Sequence, residues 1–183
     1  MTESRLRRRP GDPSGKAQLD RIVRVDHAGE YGARRIYEGQ LAVLGRSPSA
    51  RTIGQMHEQE LRHLEAFDRL VQERRVRPTA LFPLWHVAGF VLGAATAMMG
   101  EKAAMACTAA VEEVIDEHYA KQADCLGEAE PELKEMIEEF RAEEVEHRDT
   151  ALAEGAEETP GYGLLSAGIK AGSRAAIWLS ERI

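Results

Sequence analysis

Apolar residues recur along this chain at three- and four-residue steps, the period of a helix with one buried face. From about 17 to 45 a stripe runs Val23, His27, Glu30, Arg34, Tyr37, Leu41 and Leu44, and Gly45 and Pro48 punctuate it. From about 49 to 76 a second stripe runs Ile53, Met56, Glu60, His63, Leu64, Phe67, Leu70 and Val71. A third helix is predicted over roughly 101–126, with Thr108, Val111, Glu112, Ile115, His118 and Tyr119 on one side. After Gly127 and Pro131 a fourth stripe carries Leu133, Ile137, Phe140, Glu144, His147 and Ala151. Ala, Glu, Leu and Arg abound and aromatics reach only 5%, which favours helix over sheet. The expected fold class is all-α.

Several of the polar residues sit on these stripes and not on the solvated faces. Glu60 follows Met56 by four residues and precedes Leu64 by four, and Glu144 follows Phe140 by four. At about 100° per residue, positions i and i+3 stay within roughly 60° of each other, so each Glu-x-x-His points both side chains one way. The lone Glu30 precedes Glu60 by 30 residues, and the lone Glu112 precedes Glu144 by 32. Each gap suits one long helix, a turn and part of the next. An unpaired buried carboxylate is costly or takes up a proton, so several converging with two imidazoles imply a cation between them. Four Glu and two His from four helices match the ferritin-like di-metal carboxylate arrangement. Glu30, Glu60, His63, Glu112, Glu144 and His147 are therefore the candidate metal-ligating and catalytic residues of a ferritin-like four-helix bundle.

Mixed carboxylate and imidazole ligation with open positions suits iron or manganese better than structural zinc. Oxygen activation, ferroxidase action and hydrolysis all remain open on spacing alone. Glu113, Glu117, Glu143 and Glu146 read as solvated neighbours, and His57 and His86 as ordinary residues. His27 and His118 lie on the ligand stripes. Asp26, Asp116 and Asp149 are candidates to orient the ligand imidazoles, because a metal-bound histidine usually donates its other N–H.

The remaining sequence frames this bundle. A chain of 183 residues suits one domain, expected over 17–183 after a flexible arm at 1–16 that holds Pro10, Gly11, Pro13 and Gly15. The net charge of −7 argues against nucleic acid as a partner. Cys107 and Cys125 form no Cys-x-x-Cys motif, which points to a reducing compartment. Thr79 to Gly100 contains no charged residue, yet Pro83, His86, Gly89 and Gly93 make it a poor continuous span. Leu164 to Ile183 is mostly apolar with Lys170 and Arg174 on a narrower polar side, placed to meet anionic headgroups. Each segment holds one of the two tryptophans, which suits docking of 79–100 and 161–183 at a membrane interface without crossing it.

Four strings resemble one family. R-V-D-H-A-G-E-Y-G-A at 24–33, R-V-R-P-T at 75–79, M-A-C-T-A-A-V-E-E at 105–113 and I-W-L-S-E-R at 177–182 are similar to the demethoxyubiquinone hydroxylases. The similarity covers nearly everything after about residue 18. It implies a centre of two iron ions in a ferritin-like bundle, with the same six residues as ligands. It implies a 3-demethoxyubiquinol 3-hydroxylase: an O2-dependent monooxygenase acting on the ring of a polyprenylated quinol in ubiquinone biosynthesis. It further implies peripheral attachment to a membrane surface and membership of a ubiquinone-biosynthesis complex. The short N-terminus leans towards a bacterial enzyme on the cytoplasmic side of the cell membrane, and the chain looks shortened around Gly127 to Pro131. No dinucleotide-binding Gly-x-Gly-x-x-Gly is present, so electrons are expected from a separate reductase, a weakly bound nicotinamide such as NADH, or the quinone itself. The competing readings are a ferritin-like iron-handling or peroxide-scavenging protein, and a di-iron hydroxylase of another substrate.

Overall fold

The computed structural model describes residues 15–183, and they form helices joined by short connections. In order these are α1 (Gly15–Leu44), α2 (Ala50–Glu73), α3 (Phe82–Met98), α4 (Glu101–Leu126), α5 (Pro131–Ala153) and α6 (Tyr162–Ser180), with a 3-10 turn at Ala156–Glu158 before α6. The protein is all-α, a helical bundle. Of the arm expected at 1–16, residues 1–14 lie outside the described residues, and Gly15 and Lys16 already belong to the first turn of α1.

The four stripes bury as their periodicity requires. One apolar cluster gathers Tyr37 from α1, Ile53 and Met56 from α2, Met105, Ala106 and Ala109 from α4, and Ala151 from α5. A second gathers Ile22, Phe67, Tyr119, Leu126, Leu133 and Ile137 from the same four helices. Glu30, Glu60, Glu112 and Glu144 each lie, along their own helix, between a member of one cluster and a member of the other. The bundle thus encloses a polar layer between two apolar plugs.

The segment 79–100 is a poor membrane span as expected, but Pro83 does not interrupt its helix. Phe82–Met98 form one continuous helix, because Pro83 sits in the first turn, where its missing N–H has no helical partner to lose. At 17 residues α3 spans about 26 Å, short of a hydrocarbon core of about 30 Å. Among the described residues no helix is long and apolar enough to cross a membrane. The glycines serve close packing. A Cβ on Gly93 would overlap the carbonyl of Ile36, and one on Gly39 would overlap the carbonyl of Phe90. The axes of α1 and α3 therefore approach backbone to backbone. Two residues then join α3 to α4, and Gly100 makes that corner at φ 119°, a conformation L side chains rarely adopt.

The polar side of α6 is also tied to α4. Lys170 Nζ donates to Glu113 Oε2 at 2.6 Å, and Arg174 donates to Glu117 at 3.2 Å. Both cations pair with carboxylates of α4, Lys170 largely covered and Arg174 still 52% exposed. Glu113 and Glu117, read as solvated neighbours of Glu112, are the anchors.

The α1–α3 contact carries a test. Gly93→Ala inserts a methyl against backbone that cannot yield, and we expect a loss of about 1–3 kcal/mol or more. Gly54→Ala, with nothing within 4 Å of its Cβ, should instead gain about 0.5–1 kcal/mol. Thermal unfolding of the two variants measures both; equal midpoints would show that α3 packs less closely than described.

Candidate metal centre

Glu30 enters the polar layer from α1, Glu60 and His63 from α2, Glu112 from α4, and Glu144 and His147 from α5. All six are at most 2% exposed. Their donor atoms form two groups, Glu30, Glu60, His63 and Glu144 in one and Glu60, Glu112, Glu144 and His147 in the other. Within each group the atoms lie within 4.8 Å of one another. Glu60 and Glu144, the glutamates of the two Glu-x-x-His pairs, belong to both. They are therefore placed between two cation positions, with Glu30 and His63 at one end and Glu112 and His147 at the other.

Both imidazoles present Nδ1 inward. His63 Nδ1 is 3.3 Å from Glu30 Oε2 and 3.2 Å from Glu144 Oε1. His147 Nδ1 is 3.3 Å from Glu60 Oε1 and 3.2 Å from Glu144 Oε2. Phe140 stacks on His63 with centroids 4.0 Å apart, which fixes that ring's plane. The lone glutamates are held by phenols. Tyr37 Oη donates to Glu112 Oε1 at 2.7 Å, and Tyr119 Oη donates to Glu30 Oε1.

The layer fits metal ions on its own electrostatics. Both oxygens of Glu60 and Oε2 of Glu112 are buried without a hydrogen-bond partner. Groups of that kind normally find one, so a divalent cation is the natural occupant of the space they surround. Two such ions would balance four carboxylates.

Without metal, protons take that role. Burial, then the charge of Glu144, pushes Glu60 and Glu112 well above the carboxylate range. Burial works against a charge on His63, yet the carboxylates of Glu144 and Glu30 push it up to about 12. His147 is raised in the same way, against burial, chiefly by Glu144. Burial also opposes ionisation of Glu144, but His147 and His63 hold it down to about 2. Tyr37 and Tyr119 are raised by burial and by the glutamates, so they remain hydrogen-bond donors.

The outer nitrogens of the ligand histidines meet residues that the sequence reading passed over. His63 Nε2 lies 2.8 Å from Glu143 Oε2, and His147 Nε2 lies 2.9 Å from Gln59 Oε1. Glu143 is therefore not merely solvated face. Glu146 does remain exposed.

The aspartates expected at the imidazoles are elsewhere. Asp116 binds Arg141 and Arg148, Asp149 binds Arg148, and Asp26 accepts from Gln122 at 2.7 Å with His118 3.4 Å away. His27 pairs with Asp68 at 2.7 Å. His86 is exposed and meets Tyr31, and His57 is half-buried 3.8 Å from Glu38. The missed residues do have a sequence signal. Gln59 and Glu143 each directly precede the glutamate of a Glu-x-x-His, and Tyr37 and Tyr119 each follow a lone glutamate by seven residues.

A cavity of about 340 Å³ lies between α1, α3, α4 and α6. Ala33, Ile36, Trp85, Leu92, Val111 and Ile177 are among its walls, and no lining residue is charged. Gly29 and Val111, chain neighbours of Glu30 and Glu112, bring it alongside the polar layer.

A family model described as "Ubiquinone biosynthesis protein COQ7" matches residues 17–180. A protein of Rhodospirillum rubrum named 3-demethoxyubiquinol 3-hydroxylase is 59% identical over 177 residues, 96% of this chain and 84% of its own length. A mouse protein named NADPH-dependent 3-demethoxyubiquinone 3-hydroxylase, mitochondrial, is 55% identical over 175 residues, 93% of this chain and 81% of its own. The human protein of the same name is 53% identical over 176 residues, 94% and 81% of the respective chains.

The protonation of the metal-free layer sets a pH dependence. The upward shifts of His63, His147, Glu60 and Glu112 favour their protonated forms, and protons on these groups compete with a metal ion for the same atoms. Metal affinity should therefore climb as pH rises, with protons released on binding. Calorimetry in two buffers of different ionisation enthalpy reads that release; binding without it would contradict the assigned protonation.

Proposed function

The chain belongs to the ubiquinone biosynthesis protein COQ7 family, and from that premise we propose that it is an O2-dependent monooxygenase hydroxylating the ring of a demethoxy-ubiquinol. The observation that carries the reading is the pair of four-residue groups sharing Glu60 and Glu144 beside an uncharged cavity. The net change converts a ring C–H to C–OH, with one atom of O2 in the product and the other in water. Two electrons and two protons are consumed.

Glu30, Glu60, His63, Glu112, Glu144 and His147 are the ligands of two iron ions in this reading. Iron when bound supplies the electron transfer to O2 that carboxylates and imidazoles cannot. The protein's own groups do the rest. Tyr37 and Tyr119 keep the lone glutamates aimed inward, and the apolar plugs exclude water from the layer. The cavity walls, uncharged and about 340 Å³ in volume, suit a small aromatic ring at the lower end of ligand-pocket sizes of about 300–1,000 Å³.

Four ligand-bearing helices in one domain over 17–183 support a ferritin-like bundle, with 79–100 and 161–183 as its docking segments. Leu84, Val87, Val91 and Met98 lie along one side of α3, all more than half exposed, and Trp178 on α6 is 54% exposed. An exposed apolar face on the same helices that wall the cavity suits peripheral attachment to a membrane surface, with the polyprenyl tail passing between cavity and lipid. The mouse and human relatives carry NADPH dependence in their names, which favours a nicotinamide as electron source over a separate reductase or the quinone.

Cells lacking this chain should accumulate a demethoxy-quinone detectable by mass spectrometry. The intact chain should restore the mature quinone, and Glu144→Ala should not. An unchanged quinone profile in the deletion would exclude the reaction. For the membrane, the full chain should float with phospholipid vesicles, and Val87→Glu combined with Val91→Glu should abolish flotation without lowering the unfolding temperature. Undiminished flotation of that variant would remove α3 from the contact.

A further inference from the structure

The two ligand histidines face inward alike, but their outer nitrogens are held by different chemistry. His63 Nε2–H donates to a carboxylate, that of Glu143, and His147 Nε2–H donates to a carboxamide oxygen, that of Gln59. Gln59 and Glu143 hold equivalent places, each one residue before the glutamate of its own Glu-x-x-His. They are also joined to each other across α2 and α5. Gln59 Nε2 donates to Glu143 Oε2 at 3.5 Å, and Arg62 donates to the same oxygen at 3.3 Å. This wiring fixes the amide, since its oxygen must meet His147 and its nitrogen must meet Glu143.

The glutamates of the two positions are held alike, although His63 Nδ1 lies beside the lone Glu30 and His147 Nδ1 beside the shared Glu60. Each lone glutamate receives one tyrosine hydroxyl, and Glu60 and Glu144 are common to both groups. A hydrogen bond to a carboxylate is charge-assisted and makes an imidazole a stronger donor to a metal than one to an amide does. From this we propose that the Gln59–Glu143 pair makes the two metal positions unequal, so that the Glu30–His63 position loads first and holds its ion more tightly. Glu143 is a positioning residue for His63, and Gln59 is its weaker counterpart for His147. The inference rests on the reading of the six residues as metal ligands.

A reason for one carboxylate and one amide is in the geometry. Two glutamates here would place like charges about 3.5 Å apart at a half-buried site, and two glutamines would leave both imidazoles with the weaker partner. The mixed pair satisfies every donor while placing the extra negative charge at one end of the layer.

The test uses the full chain, stripped of metal and titrated with manganese(II) alone. An isolated manganese ion and a spin-coupled pair give different EPR spectra. At one equivalent the unchanged chain should show mainly isolated ions, with coupled pairs growing in between one and two. Glu143→Gln keeps an acceptor for His63 but removes its charge. It should weaken the first binding step about tenfold and bring coupled pairs in earlier. Glu30→Gln should also weaken the first step, whereas Glu112→Gln should spare it. In the exchange variant Gln59→Glu with Glu143→Gln, the order should reverse, so that adding Glu112→Gln now weakens the first step. Two equal affinities in the unchanged chain, or a first step indifferent to Glu143→Gln in a variant that unfolds at the parent temperature, would overturn the inference. Failure of the unchanged chain to bind two manganese ions would instead overturn the ligand assignment beneath it.

Discussion

Four carboxylates share one layer from which water is excluded, and their mutual repulsion is the constraint around which the bundle is organised. Glu60 and Glu144 are fully buried, so neither can lower its charge density by hydration. Cations or protons must supply the balance, and burial together with the charge of Glu144 raises both Glu60 and Glu112, which favours their protonated forms when no metal is bound. Long helices follow from this. Each ligand helix must extend beyond the layer in both directions to reach the clusters of Ile53 and Met56 on one side and Phe67 and Ile137 on the other. The apolar burial that stabilises the fold is thus displaced to the ends of the layer, and the centre is kept together by hydrogen bonds and by what it binds.

The two helices outside this layer, α3 and α6, wall an uncharged cavity beside it. Gly39, Gly89 and Gly93 allow α3 to lie against α1 without intervening side chains. The same small residues leave room further along, where Gly29, Gly32 and Gly89 line the cavity with Trp85 and Leu92. Lys170 and Arg174 clamp α6 over the other edge through Glu113 and Glu117. Close packing in one place and missing side chains in the next both follow from glycines on α1 and α3.

The clustering of these glutamates and histidines was legible in the sequence because a repeat of Glu, then Glu-x-x-His, on apolar stripes has few explanations. Helix ends were legible to within a few residues, since Gly45, Pro48, Gly127 and Pro131 mark them. What periodicity could not separate was solvent from a neighbouring helix. Glu113, Glu117 and Glu143 occupy polar faces that look solvated in one dimension and meet Lys170, Arg174 and His63 in three. The same ambiguity misplaced Asp116 and Asp149, which serve arginines, and misjudged Pro83, whose effect depends on whether a helix begins just before it. Close backbone approach is likewise invisible from a single chain, because a glycine that breaks a helix and one that admits a neighbour read alike.

The pairing of lone glutamates with tyrosines shows how the width of the layer is set. Tyr37 lies seven residues beyond Glu30 and reaches Glu112, while Tyr119 lies seven beyond Glu112 and reaches Glu30. Seven residues is close to two helical turns, so each tyrosine shares a face with its glutamate, and the exchange requires α1 and α4 to run antiparallel. Gln40 and Gln122, each ten residues beyond a lone glutamate, extend the ladder to Thr108 and Asp26 respectively. These rungs hold Glu30 and Glu112 at a fixed separation by contacts that need no metal, so the site is shaped before it is filled. The ladder is symmetric except at its ends. Thr108 cannot titrate, whereas Asp26, raised by burial and tempered by His118 and Gln122, can carry a proton. One end of the ladder therefore carries a titratable group and the other does not, a difference imposed by a single position in an otherwise repeated pattern.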